Sequence, residues 1–229
     1  MSNISMEPIR DVETIKSLAH VNPEFRDYEN EIYKIIASTG ALLKGHFVLL
    51  SGKHSDYFMR FNNICKHSDN VVFIAKAIVS KIDFEFDAII SPDTAGILLA
   101  HEVAKITNRT RITASTDEKN MPTDLINFID LKEGAKVLVV NDMTTTTDGL
   151  RKLIALVKKY KATPIGIALF ATRGKNEKPE IDSLANEVGR LIAMVDLDVA
   201  SHEYLGSSEC KICVDSNYLD KPVESWKLN

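Results

Sequence analysis

The sequence predicts an α/β fold in which a mainly parallel sheet is flanked by helices. Short, continuously apolar runs such as "DAII", "VLVV" and "IGIALF" alternate with segments of helical periodicity. Strands buried on both faces read in this unbroken way, whereas one-sided strands alternate apolar with polar residues. Most of these runs end in a polar, turn-forming stretch that leads into a helix, as successive βαβ units require.

Taken in chain order, residues 27–38 ("DYENEIYKIIAS") place Ile32, Ile35 and Ile36 on one helical face. "GHFVLLSGKHSDYFMRF" reads as two strands around a Ser-Gly-Lys-His-Ser turn, and "DNVVFIAKAIVSKI" as a helix capped by Ser68 or Asp69. "FDAIIS" is a short buried strand broken at Pro92, and "TAGILLAHEVAKIT" is a helix that Thr94 is placed to cap. "RITAS" predicts another strand, while residues 115–135 are the least regular stretch, with weak strand signals. A strand over 136–141, a helix over 149–160 and a strand over 164–171 follow, and "RLIAMVDLDV" is the last strand candidate.

The chain has 229 residues, 45% hydrophobic and 26% charged, enough for a full core in one α/β domain with an added cap or in two small domains. A net charge of −4 argues against a nonspecific nucleic-acid surface, which needs a basic excess. No apolar run approaches the roughly 20 residues of a membrane-spanning helix, and "MSNISMEPIRDVETIK" lacks the apolar core of a secretory signal. Three cysteines make no disulfide framework, so the expectation is a cytoplasmic protein with no membrane or nucleic-acid partner. Cys210 and Cys213 ("CKIC") offer two ligands where structural zinc takes four, and the spacing of His202 and Cys65 completes no set. These thiols are read as metal-free. His46, His54 and His101 are read as turn or surface histidines, and Trp226 as a packing anchor for the tail.

Parallel α/β sheets take ligands beyond the carboxyl ends of their strands, which selects loops 92–96, 115–134 and 141–149. In "VLVVNDMTTTTDGL" an apolar strand runs into Asn141 and Asp142, then a row of threonines, then a helix start. The helix dipole, its unpaired N–H groups and the hydroxyls of Thr144, Thr145, Thr146 and Thr147 suit a phosphate. A carboxylate and an amide suit ribose hydroxyls. A plain β–α turn with Asp148 as N-cap is the alternative for this loop alone. "SPDTAGILLAHE" repeats the pattern with Asp93, Thr94, Ala95 and Gly96. Two such loops in one sheet point to a ligand with phosphates at both ends.

"VLVVNDMTTTTDGL" resembles the phosphoribosyl-pyrophosphate (PRPP) signature of type I phosphoribosyltransferases. "GHFVLLSGKHSDYF", "DAIISPDTAGILLAHEVAK", "IGIALFATRGKNE" and "ECKIC" resemble, in order, segments of the orotate enzymes of that family. The resemblance implies a single domain over 1–229: an N-terminal α/β hood and base-site segment to about residue 66, a core sheet over about 67–200, and a tail over 201–229. It implies transfer of phosphoribose from PRPP to a nucleobase, orotate first, with Mg²⁺ carried by PRPP and no protein-held metal. Asp142, Asn141 and Lys119 would serve the reacting centre. Residues Thr144 to Asp148 would hold the 5′-phosphate and Asp93 to Gly96 the pyrophosphate, with Ser51, Gly52, Lys53, Phe58 and Arg173 around the base. A homodimer is also implied.

Three positions and one loop depart from the family pattern. Asn141 replaces an acidic residue, Leu50 replaces a lysine, and Thr147 stands where glycine is usual. A β-branched residue is costly at positive φ, so this loop must differ in shape or lose some phosphate contact. The family closes its site with a basic loop; here Lys119 and Lys132 face Asp117, Glu118, Asp124, Asp130 and Glu133. An acidic lid disfavours a leaving pyrophosphate. Two readings therefore stand beside each other: a phosphoribosyltransferase, for orotate or another base, and a catalytically impaired PRPP- or nucleotide-binding sensor on the same fold.

Overall fold

Parallel strands need a crossover between each pair, and most of this chain alternates strand with helix to supply it. The computed structural model describes residues 6–49, 52–126, 131–144, 147–173, 178–199, 213 and 223–228. The chain begins with β1 (Glu7–Pro8), α1 (Val12–Leu18) and β2 (Ala19–Val21). A 3₁₀ turn (Pro23–Tyr28) leads into α2 (Glu29–Thr39), the hairpin β3 (Leu42–Val48) and β4 (His54–Met59), and the short α3 (Phe61–Cys65). The alternating part follows as α4 (Ser68–Val79), β5 (Ala88–Pro92), α5 (Gly96–Thr107), β6 (Thr110–Thr116) and β7 (Pro122–Leu125). It continues through β8 (Lys136–Thr144), α6 (Asp148–Lys159), β9 (Thr163–Arg173), α7 (Lys178–Val188) and β10 (Leu191–Leu197), and β11 (Val223–Glu224) lies near the C-terminus.

The core sheet has seven strands in the order β2-β10-β9-β8-β5-β6-β7. Its five inner strands are parallel, and β2 and β7 close the two edges antiparallel. One face, through Leu138, Val140, Ala168 and Phe170, packs with residues of α2, α4 and α5. The other, through Val137, Val139, Ile167 and Leu169, packs with α6 and α7. The unbroken apolar runs of β8 and β9 follow from this two-sided burial. A separate four-stranded sheet forms the hood, with β4 on one edge of β3 and both β1 and β11 on the other.

Several expectations are corrected here. The N-terminal segment is not wholly hood, because β2 joins the core sheet, and the tail contributes β11 to the hood sheet. Neither Ser68 nor Asp69 caps α4: its N-cap is His67, without a side-chain capping bond. Nor does Thr94 cap α5, which has Ala95 as N-cap and begins at Gly96. The strand read as 136–141 continues to Thr144, and α7 fills a stretch the sequence left unassigned. His46 and His54, read as turn or surface residues, are buried on the hood hairpin, whereas His101 is exposed on α5. His202 and Cys210 lie outside the described residues, as does the side chain of Trp226.

The hood is fastened where α2 ends. Gly40 terminates that helix at φ +60°, and a Cβ on it would lie 2.7 Å from the Pro8 Cβ. Arg10 donates to the carbonyls of Ala37 (3.2 Å) and Ser38 (2.8 Å), a cation on the negative end of the helix dipole. Gly40→Ala is expected to lower the unfolding free energy by about 1–3 kcal/mol, from left-handed strain plus the clash. The check is a lower denaturant midpoint at unchanged slope; an unchanged midpoint would mean that residues 8–10 yield.

Candidate active site

The parallel strands deliver their carboxyl ends to one edge of the sheet, and there the start of α5 meets the end of β8. A Cβ built on Gly96 would lie 2.3 Å from the Asn141 Oδ1, 2.9 Å from the Asp142 nitrogen and 3.1 Å from the Asn141 Cα. No side chain fits, so glycine is what allows the 92–96 loop to touch Asn141 and Asp142. Asn141 turns its amide nitrogen toward the Met143 carbonyl (3.2 Å), and its Oδ1 is buried without a hydrogen-bond partner among the described residues.

Asp142 is only 8% exposed. Strand alternation puts it on the same face as Leu138 and Val140, above the apolar cluster around α4 and α5. Burial pushes its carboxyl up to about 6, against the downward pull of hydrogen bonds from the backbone N–H groups of Met143 and Asp142 itself. Cys65, at the end of α3, feels that carboxylate. Burial first, and the charge of Asp142 second, push its thiol up to about 12, which leaves it inert.

The loop after β8 enters α6 through Thr147, its N-cap, at φ −78°. The strain expected of a β-branched residue at positive φ is therefore absent. The Thr147 hydroxyl is buried, accepts from Arg151 Nε (3.1 Å) and reaches Glu180 Oε2 (3.5 Å). Sequence reasoning missed both partners, since one lies a helical turn ahead and the other on α7. Thr144 is buried at the strand end, and Asp148, the first residue of α6, is exposed rather than capping. Thr145 and Thr146 lie outside the described residues.

Arg173 ends β9 as a buried residue, 1% exposed, and its Nη2 donates to the Ser55 hydroxyl on β4. This bond joins the core sheet to the hood. Ser55, also missed from the sequence, is fully buried. Gly52 lies in the hairpin turn at φ +81°, where the Leu49 N–H donates to the Lys53 carbonyl (2.8 Å). Phe58 points elsewhere: its ring packs 5.5 Å from that of Phe47 in the apolar cluster of the hood. Leu50 and Ser51 lie outside the described residues.

The least regular stretch begins as a β-hairpin, β6 paired with β7. The hairpin is tied to the 92–96 loop beside its turn, because the Thr116 hydroxyl donates to Asp93 Oδ1 (2.5 Å). At the turn, Asp117 accepts the N–H groups of Lys119 and Met121, and the Lys119 side chain is exposed. The acidic count overstates the charge of this lid. Asp124 is held by Lys159 (2.8 Å) and Tyr160, and Glu133 by Lys161 (3.2 Å). Asp130 lies outside the described residues. A cleft of ≈ 560 Å³ between β2, β10 and α7 reaches the strand ends at Thr172, Asp196 and Leu197. The Thr172 and Asp196 positions lie where β9 and β10 finish. Those two side chains are hydrogen-bonded to each other.

A comparison with known families matches residues 61–189 to the phosphoribosyl transferase domain. The chain belongs to that family. Within it the likeness is to the orotate enzymes: the orotate phosphoribosyltransferase of Thermoanaerobacter sp. is 31% identical over 85% of this chain and 96% of its own. Among solved structures, orotate phosphoribosyltransferase from Aeropyrum pernix aligns with TM-score 0.58 and 20% identity over 71% of this chain and 92% of its own. Leishmania donovani UMP synthase aligns with TM-score 0.62 and 17% identity over 74% of this chain, which spans 36% of that longer protein. Both structures share the fold.

Asp142 makes stability and pH testable together. The folded chain keeps this proton to about pH 6, whereas the ordinary carboxyl value is 3.8. The folded state thus binds more protons between those values, and stability falls as pH rises through the window. Asp142→Asn is expected to stabilise the ligand-free protein at neutral pH by about 1–3 kcal/mol, and hardly at all below the window. Denaturant unfolding at both pH values checks this; no gain at neutral pH would contradict it.

Proposed function

We propose that this chain transfers the 5-phosphoribosyl group of PRPP to orotate with release of pyrophosphate. The observation that carries the reading is the contact of Gly96 with Asn141 and Asp142, which brings two strand-to-helix loops to one edge of the sheet. PRPP bears a phosphate at one end and a pyrophosphate at the other, and the two loops with a carboxylate between them match that distribution of charge. In this assignment residues 144–148 hold the 5′-phosphate, residues 93–96 the pyrophosphate, Asn141 and Asp142 the ribose, and Arg173 with Gly52 and Lys53 the base side.

As the C1–O bond to pyrophosphate breaks, positive charge develops on C1 and the ring oxygen. Asp142, desolvated but mostly ionised at neutral pH, offers a negative charge where the low dielectric strengthens it. A neighbouring cation stabilises that ionised form further. Asn141 adds hydrogen bonds without charge. A ring nitrogen of orotate then closes the new bond to C1 and gives up its proton to the released pyrophosphate or to water. Magnesium enters on PRPP as part of the substrate, and the carboxylate oxygens of Asp93 and Asp142 suit a hard cation. Lys119, at the tip of the lid hairpin, is assigned to the leaving pyrophosphate. The family resemblance further supports a homodimer in the cytoplasm.

Calorimetric titration with PRPP and Mg²⁺, followed by pyrophosphate release with a panel of bases, tests the reading. The expected result is PRPP binding and orotate-dependent release, at least roughly a hundredfold below a typical rate of about 10 s⁻¹. Lys119→Ala should remove most of what remains, a loss of about 10²–10³. PRPP binding without release for any base would identify a sensor instead. Fast turnover indifferent to Lys119→Ala would mean that another element supplies the cation. Asn141→Asp should raise turnover, because a carboxylate stabilises an adjacent oxocarbenium better than an amide. Equal or lower turnover would give the amide a role of its own.

A further inference from the structure

The hood hairpin brings two imidazoles together, and the chain returns near its C-terminus to add a thiol. His46 Nε2 on β3 lies 2.8 Å from His54 Nδ1 on β4. The Sγ of Cys213 lies 3.3 Å from that Nδ1 and 3.6 Å from that Nε2. Both imidazoles are buried and the cysteine is partly so. A single hydrogen bond would engage two of these atoms, whereas all three converge on one centre.

We propose that His46, His54 and Cys213 bind a divalent cation of the zinc type, clamping the C-terminal segment to the hood hairpin. Two imidazole nitrogens and one thiolate are a borderline-soft set, suited to zinc rather than to magnesium or calcium. Zinc bonds of about 2.0–2.1 Å to nitrogen and 2.3 Å to sulfur set tetrahedral edges of about 3.3 Å (N···N) and 3.6 Å (N···S). The observed separations fall within about half an ångström of those edges, a difference that small side-chain rotations absorb. Imidazole ligates in its neutral form. On binding, each imidazole gives a lone pair and the thiol releases one proton, with no change of oxidation state. The consequence reaches the candidate site, because His54 adjoins Ser55, which receives the Arg173 guanidinium. A metal here would fix the part of the hood that holds that arginine.

The test uses the full-length protein with its purification tag removed. Elemental analysis after growth in zinc-supplemented medium should find about one zinc per chain. Titration against a chromophoric chelator should show Cys213→Ser weakening zinc by at least about a hundredfold. Cobalt-loaded protein should show a thiolate-to-cobalt charge-transfer band that Cys213→Ser abolishes and Cys65→Ser retains. Zinc should raise the melting temperature of the wild type and not that of Cys213→Ser, whose circular dichroism confirms folding. His54→Gln provides a second ligand loss. A wild-type chain without stoichiometric zinc, or zinc held equally by wild type, Cys213→Ser and His54→Gln, overturns the site.

Discussion

The candidate site depends on one steric constraint, the closeness of α5 to the end of β8. With the Gly96 Cα close enough that a Cβ would sit 2.3 Å from the Asn141 Oδ1 and 2.9 Å from the Asp142 nitrogen, the two elements touch where β8 nears its end and α5 begins. Helix-on-sheet packing ordinarily keeps elements apart by the thickness of their side chains, and glycine removes that spacer. The loop that begins α5 and the loop that follows β8 are thereby held together by the same contact that closes the core beneath them. Gly96 serves packing first, and the geometry of the loops follows.

A second linkage runs across the fold. The buried Arg173 joins the last residue of β9 to Ser55 on β4, so the hood is positioned by a side chain at a core strand end. The lid hairpin is tied in similarly, through Thr116 to Asp93. Burial of Asp142 opposes stability at neutral pH, because the carboxyl gives up hydration to ionise in a dry setting. A desolvated carboxylate nevertheless suits a site in which positive charge develops during reaction. The ligand-free protein therefore carries an electrostatic penalty at the position proposed to face the developing charge.

The alternating core was legible because its signals are local: unbroken apolar runs in β5, β8 and β9, and helical periodicity in α2, α4, α5 and α6. The strand-to-helix loops were legible for the same reason, since polar residues crowd where apolar runs stop. What escaped depends on distant partners. The trio His46, His54 and Cys213 joins residues more than 150 positions apart (|i−j| of 159 for Cys213 and His54), and no sequence spacing encodes that meeting. The pairing of Asp124 with Lys159, 35 residues away, likewise turns what read as lid charge into a local ion pair. Thr147 stands where glycine is usual in the family, and the backbone here stays at negative φ, a local geometry that a β-branched residue adopts without strain. Caps were misplaced at α4 and α5, where the helices start without side-chain capping bonds.

The most direct test is a crystal structure of the protein with PRPP and magnesium. The account predicts the 5′-phosphate on residues 144–148 at the start of α6, the pyrophosphate on residues 93–96, and the ribose between them beside Asp142. PRPP bound elsewhere with both loops empty would contradict it.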